Sequence, residues 1–232
     1  MMVNVKSFTA LLPMKGHSER VPNKNIRLFA EKPLFSIVLD NLLESTLINK
    51  IIINTDSNAI ISIVNKNYDN KVIIHKRPDD LCGDFVPMNE IIKYDIKKSN
   101  SEYYIQTHST NPLVQTNTFD KAITKYLNDI NNYDSLFSVN CLQTRLFDNK
   151  SNPLNHNPSE LIRTQDLDPI YEENSNFYIF SKSSFINSGN NRIGQTPQMF
   201  EVNRLESQDI DIEEDFILAE TIYKSMQPFY ES

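Results

Sequence analysis

Residues 8–25 read FTALLPMKGHSERVPNKN. The run Phe8–Pro13 is short, apolar and closed by a breaker, which predicts a buried strand. Behind it Lys15, Arg20 and Lys24 crowd onto one loop, with Arg27 just beyond, in a chain of net charge −7. Gly16 permits close backbone approach or a positive φ. Ser18 and backbone N–H groups can donate to phosphate oxygens, and Pro22 stiffens the return. Positive charge gathered on one loop of an acidic protein points to a small polyanion, and these cations suit a triphosphate and a departing pyrophosphate. A solvated charge cluster is the plainer alternative, and the rest of the chain has to decide between them.

Outward from this stretch, strand-like and helical runs alternate. Pro33–Ser45 carries apolar residues at helical spacing behind a first-turn proline. Lys50–Asn54 is β-branched and continuous, as in a strand buried on both faces. Ser57–Asn67 follows as a helix, capped by Asp56 or Ser57. Strands are expected at Val72–His75, Tyr103–Thr107, Ser135–Asn140 and Phe177–Ser181, and helices at Met88–Lys98, Thr118–Ile130 and Glu213–Met226. This order predicts a single α/β domain, a Rossmann-like three-layer α/β/α fold around a mostly parallel sheet. Ligands of such sheets bind outside the carboxyl ends of the strands. Residues 141–170 are polar, rich in Asn and Pro, and read as a small excursion from the domain.

Composition removes several classes. With 232 residues the chain can bury a full core and needs no disulfide or metal staple. Cys82 and Cys141 lie far apart in no metal-ligand spacing, as expected for a reduced, cytoplasmic protein. No apolar run approaches the ~20 residues of a membrane span. Met1–Pro13 lacks a small-residue cleavage site and reads as a first strand rather than a signal peptide. The acidic balance argues against nucleic acid as partner. The chain has four glycines and neither GxGxxG nor GxxxxGK[ST], which argues against a dinucleotide fold of the dehydrogenase type and rules out an ATPase P-loop.

The loop from Met14 to Asn25 resembles the signature of acylneuraminate cytidylyltransferases, the CMP-sialic acid synthetases and their relatives, which runs A-R-x-G-S-K-x-I-P-x-K-N. Met14, Lys15, Ser18, Val21, Pro22, Lys24 and Asn25 fall on that pattern, while His17 and Glu19 depart from it. The resemblance continues in order along nearly the whole chain. Asn54-Thr55-Asp56 is similar to the family's S-T-D, and Arg77 to Asp84 to its R-P-x-x-L-x-x-D element. Thr110-Asn111-Pro112-Leu113 is similar to P-T-S-P-L-R, with His108 at the sugar-site glutamine and Val114 at the arginine. Arg163-Thr164-Gln165-Asp166-Leu167 resembles R-R-Q-D-L, and Ser207 to Asp215 resembles S-x-D-I-D-T-x-E-D. Gln195 to Gln198 is similar to a segment of the cytidylyltransferases acting on methylerythritol phosphate, although a Thr-Pro turn ahead of a strand accounts for it.

The resemblance implies a Mg²⁺-dependent enzyme that transfers CMP from CTP to an acidic sugar of the nonulosonic class and releases pyrophosphate. Lys15, Arg20, Lys24 and Asp211 would carry the chemistry. Ser18, Asn25, Asp56, Arg77, Asp84, His108, Thr110, Arg163 and Gln165 would bind substrates, with Arg77 near the base and Arg163 on the sugar carboxylate. Asp209 and Asp211 would hold the metal. By spacing alone these two carboxylates point to one side of an extended segment, as suits Mg²⁺. Equally, Asp211 with Glu214 three residues on resembles a capping box. The family commonly forms homodimers, which makes residues 141–170 the expected contact. Departures at Glu19, Met88, His108 and Val114 leave open GTP in place of CTP, another acidic sugar, or a non-catalytic homologue.

Overall fold

The computed structural model describes residues 7–68, 70–160 and 162–230. The elements run β1 (Phe8–Met14), a hairpin of β2 (Leu28–Phe29) and β3 (Lys32–Pro33), α1 (Leu34–Glu44), β4 (Ile48–Thr55), α2 (Asn58–Asn67), β5 (Val72–Lys76) and α3 (Met88–Lys98). They continue with β6 (Tyr103–Thr107), α4 (Thr116–Asn128), β7 (Ser135–Leu142), β8 (Ile170–Ser181), α5 (Lys182–Asn187), β9 (Pro197–Glu201) and α6 (Glu213–Tyr230). The strand expected from the first residues begins at Phe8, and residues 1–6 lie outside the described part.

The main sheet has the order β5-β4-β1-β6-β8-β7-β9, and only β8 runs against its neighbours. The chain starts at the centre, builds outward through β4 and β5, then crosses back to place β6 on the other side of β1. That reversal creates a switch point at the carboxyl end of β1, where a crevice opens.

Alternation along β1 sends Phe8, Ala10, Leu12 and Met14 to one face, where Phe35, Val38, Leu39 and Leu42 of α1 and Phe119, Ala122, Ile123 and Tyr126 of α4 pack on them. Leu11 turns to the opposite face with Ile52 and Tyr104, against Ile92 and Ile96 of α3 and Phe185 of α5. The layers are therefore α/β/α. A third cluster joins Val21 behind the loop to Leu34, Ile37, Leu113, Ile210, Phe216 and Ala219. It brings the start of α6 against the loop after β1.

Helix α4 begins two residues earlier than periodicity suggested, at Thr116. Strand β8 is far longer than Phe177–Ser181, because its first half pairs with the end of β7 as a ribbon, Leu142 opposite Ile170. Among the described residues no helix is long and apolar enough to cross a membrane. Both cysteines are free.

The turn into β9 depends on Gly194, whose φ is +75 and whose added Cβ would stand 2.4 Å from Asp134 Oδ1. The Asp134 carboxylate accepts from the N–H groups of Gln195 and Thr196 at 2.8 and 3.0 Å. Gly194→Ala is expected to cost about 2–3 kcal/mol, from the left-handed conformation plus the displaced carboxylate. A lowered urea midpoint with unchanged slope is the readout.

Candidate active site

Loops following β1, β5 and β6 converge with the segment before α6 around a cavity of about 550 Å³. Lys15, Ser18, Arg20, Lys24, Asn25, Arg77, Asp84, His108, Thr110 and Asp211 all line it, so ten of the expected residues meet in one place. Val86, Met88 and Ile91 supply an apolar wall.

The loop after β1 is held from beneath. Asp56 Oδ1 accepts from the Gly16 N–H at 2.6 Å, and a Cβ on Gly16 would stand 2.9 Å from Ser57 Cβ. Close approach, not a positive φ, is therefore what requires glycine here. Asn25 is buried, donating to the Lys15 carbonyl and accepting from the Ser109 hydroxyl at 2.6 Å, which staples the loop to the end of β6.

Each loop cation meets a carboxylate or carbonyl. Lys15 Nζ donates to Asp84 Oδ1 at 2.5 Å, and Arg20 Nη2 to Asp211 Oδ1 at 2.9 Å. Both pairs face solvent, where such bridges contribute little, so an anion entering the cavity could displace them at little cost. The hydrogen bond and charge of Lys15 hold the Asp84 carboxyl below its usual range. Lys24 is half-buried and donates to the Ile210 carbonyl at 2.5 Å; burial lowers its pKa while Asp209 and Asp211 oppose the shift. Arg27 leaves this group altogether. Its guanidinium makes a bidentate pair with Glu213 at 2.5 and 2.6 Å and stacks on Phe216, anchoring α6.

The two readings of Asp211 separate clearly. The first free N–H groups ahead of α6, those of Asp211 and Ile212, donate to Asp215 Oδ2 at 3.0 and 2.9 Å. Asp215 does the capping, and the Asp211 side chain is free to face the cavity. Asp209 does not line the cavity; it stands within reach of the Thr110 hydroxyl and 3.5 Å from Asn111 Nδ2. Lost hydration and then the neighbouring Asp211 charge raise its carboxyl pKa.

Arg77 is buried, and its guanidinium donates to Asn54 Oδ1, the Asn54 carbonyl and the Met14 carbonyl at 2.8, 3.0 and 3.1 Å. It braces the ends of β1 and β4 beneath the cavity it lines. Asp56 likewise works beneath the loop and not in the cavity wall.

Arg163 and Gln165 do not reach the cavity of their own chain. The excursion leaves the sheet at the β7–β8 ribbon, and Arg163 turns back to pair with Asp166 at 2.7 and 3.1 Å. The Gln165 carbonyl accepts from Gln143. Two residues that the sequence did not single out stand behind His108: Gln106, on β6, and Arg192, far along the chain. Every residue of β6 is buried, so nothing local distinguished Gln106, and nothing local marked Arg192.

The cytidylyltransferase family model matches residues 9–230. Pseudaminic acid cytidylyltransferase of Campylobacter jejuni is 24% identical over 228 residues, covering 92% of this chain and 95% of the relative. N-acylneuraminate cytidylyltransferase A of Danio rerio is 27% identical over 225 residues, 93% of this chain and 50% of that protein. In fold the chain is similar to a CMP:2-keto-3-deoxy-manno-octonic acid synthetase solved with CTP, at a TM-score of 0.70 and 11% identity over 95% of this chain and 99% of the other. It is also similar to 4-diphosphocytidyl-2C-methyl-D-erythritol synthase of Anaerococcus prevotii, at 0.68 and 14% over 96% and 98%. With its model matched from the first strand into the last helix, and a cation-lined cavity at the switch point of the sheet, the chain belongs to the cytidylyltransferase family.

Proposed function

We propose that this protein transfers CMP from CTP to a hydroxyl of a nonulosonic acid and releases pyrophosphate, with Mg²⁺ as the required cation. The observation that carries this reading is the convergence of Lys15, Arg20, Lys24 and Asp211 on one cavity at the carboxyl end of β1. The names of the relatives, which act on pseudaminic and N-acylneuraminic acids, support the acceptor class.

Lys15, Arg20 and Lys24 bind the triphosphate and neutralise the charge that grows on the departing pyrophosphate. Asn25 and Asp56 keep the loop in its binding form. The acceptor hydroxyl attacks the α-phosphorus in line, and positioning rather than a covalent intermediate lowers the barrier. Asp209 and Asp211 fit a hard cation. Asp211 lines the cavity, and Asp209, two residues before it, lies near enough that the Asp211 charge adds to burial in raising its carboxyl pKa, so the two would offer a cation hard carboxylate oxygens. Mg²⁺ takes one or two carboxylates together with phosphate oxygens. When bound there, the ion supplies further charge neutralisation at the phosphates.

With the nucleotide base toward β5, by Arg77 and Asp84, and the phosphates over β1, the acceptor lies toward β6, where His108 and Thr110 stand. Residues 141–170 are the proposed contact between two copies, and Arg163 and Gln165 would act across it. A cytoplasmic enzyme of this kind would feed a surface glycan.

Pyrophosphate release decides the reading. Purified protein with Mg²⁺, each of the four NTPs and a panel of nonulosonic acids should release pyrophosphate with CTP, and chelation by EDTA should abolish it. Release with GTP alone would change the nucleotide. No release with any pair would overturn the proposal.

A further inference from the structure

Gln106 is fully buried, and its amide orientation is determined by its neighbours. Arg192 Nη1 stands 2.6 Å from Gln106 Oε1. A guanidinium only donates, so that atom must be the carbonyl oxygen. The Gln106 Nε2 group then donates one hydrogen to the Thr107 carbonyl at 2.9 Å, and its other hydrogen faces His108 Nε2 at 3.1 Å. Turning the amide over would set donor against donor at Arg192 and acceptor against acceptor at Thr107. With both hydrogens of the amide committed, His108 Nε2 has to accept, and the imidazole proton sits on Nδ1. Among the described residues no group bonds Nδ1, and His108 lines the cavity.

Arg192 is itself held firmly. Its guanidinium lies 3.6 Å from the centre of the Tyr178 ring, and its backbone N–H donates to Asn89 Oδ1. The Tyr178 hydroxyl is in turn bonded to Glu173 and to Ser175. A cation on an aromatic face keeps its charge without needing a salt bridge in the cavity.

We propose that Arg192, acting through Gln106, holds His108 as the neutral Nδ1–H tautomer, so that the acceptor end of the cavity presents a hydrogen-bond donor and no base. The proposal rests on the cytidylyl-transfer reading for the identity of the acceptor. His108 then recognises an acceptor oxygen, a hydroxyl, carbonyl or carboxylate, and does not deprotonate the attacking group. Arg192 and Gln106 are positioning residues. Burial, and then the Arg192 charge, push the His108 pKa down to about 3, which keeps the ring neutral throughout the working range.

Protein labelled with ¹⁵N-histidine tests this without turnover. His108 is assigned by its loss in His108→Gln. The expected spectrum at neutral pH shows a protonated-type Nδ1 and an unprotonated-type Nε2. In Gln106→Glu an acceptor oxygen faces His108, and the proton should move to Nε2. In Arg192→Met, which keeps the Tyr178 face covered, only the Thr107 carbonyl still orients the amide, and the second tautomer should become detectable. The same Arg192→Met protein should show a KM for the acceptor raised about tenfold, the worth of one hydrogen bond, with the KM for CTP unchanged. An Nε2–H tautomer in the unaltered protein overturns the proposal. So does an Arg192→Met protein with unchanged spectrum, or one whose spectrum changes while the acceptor KM does not. If no pair of substrates reacts, the transfer reading falls, and the spectrum still decides the tautomer.

Discussion

Alanine in place of Asp211 is expected to lower kcat by about 10³-fold, the scale of losing one preorganised charge group at a phosphoryl-transfer centre. The melting temperature should fall by no more than about 2–3 °C, because an exposed ion pair contributes little. The separation of the two readouts follows from the hydrogen bonds ahead of α6. Asp215 accepts both free N–H groups there, so removing Asp211 leaves the cap in place. Its ion pair with Arg20 is solvent-exposed. Asp215→Ala is the matched control and should cost about 1 kcal/mol, as lost caps do. Stopped assays of pyrophosphate release and thermal unfolding of both variants check this. A full-rate Asp211→Ala protein with lowered stability would return Asp211 to a purely structural role.

Arg77→Met should act in the opposite sense, on stability first. Its guanidinium serves Asn54 Oδ1 and the carbonyls of Met14 and Asn54, all at the buried ends of β1 and β4. Asn54 in turn donates to Asp95 at 2.8 Å, and Asp95 also pairs with His75 Nδ1 at 2.7 Å. Methionine fills much of the volume but removes the donor that these three acceptors share. The expected loss is about 3 kcal/mol, the scale of stranding buried polar groups. For a chain of this size that is about 6–12 °C in melting temperature. Arg77→Lys should recover part of it, since one ammonium cannot reach all three acceptors. A loss under about 1 kcal/mol in urea titration would mean that water replaces the guanidinium, and the bracing role would fail.

Much of the fold was legible because it rests on local periodicity. The apolar run at Phe8–Pro13, the β-branched run at Lys50–Asn54 and the helical spacing from Pro33 onward each state their own burial. Their alternation leaves few topologies beside a parallel sheet with two helical layers. Less legible was the β2–β3 hairpin. Its turn residues Ala30 and Glu31 both hold positive φ, 44 and 73, a conformation that Asn-Gly signals and this pair does not. The Ala30 N–H is bonded to Glu220 Oε1 at 2.8 Å, so a contact 190 residues away stabilises what the local sequence disfavours.

The site divides the same way. That a basic, glycine-bearing loop follows the first strand, and that two aspartates precede the last helix, is written in the sequence. Residue type and order are enough for that, because charge and strand polarity are local properties. Which cations face the cavity is not local. Lys15, Arg20 and Lys24 do, while Arg27 of the same cluster is taken by Glu213. Nor does spacing tell whether Asp211 caps or faces the cavity, since that depends on where Asp215 falls on the folded turn. Arg163 lies outside the cavity of its own chain, and Arg192 enters the site by way of Gln106, 86 residues earlier. Hydrogen bonds of that reach exist only once the sheet has brought β6, β8 and the segment before β9 together. The sequence by itself determined the class of chemistry and the loops that hold it, and the tertiary structure decided which side chain does which part.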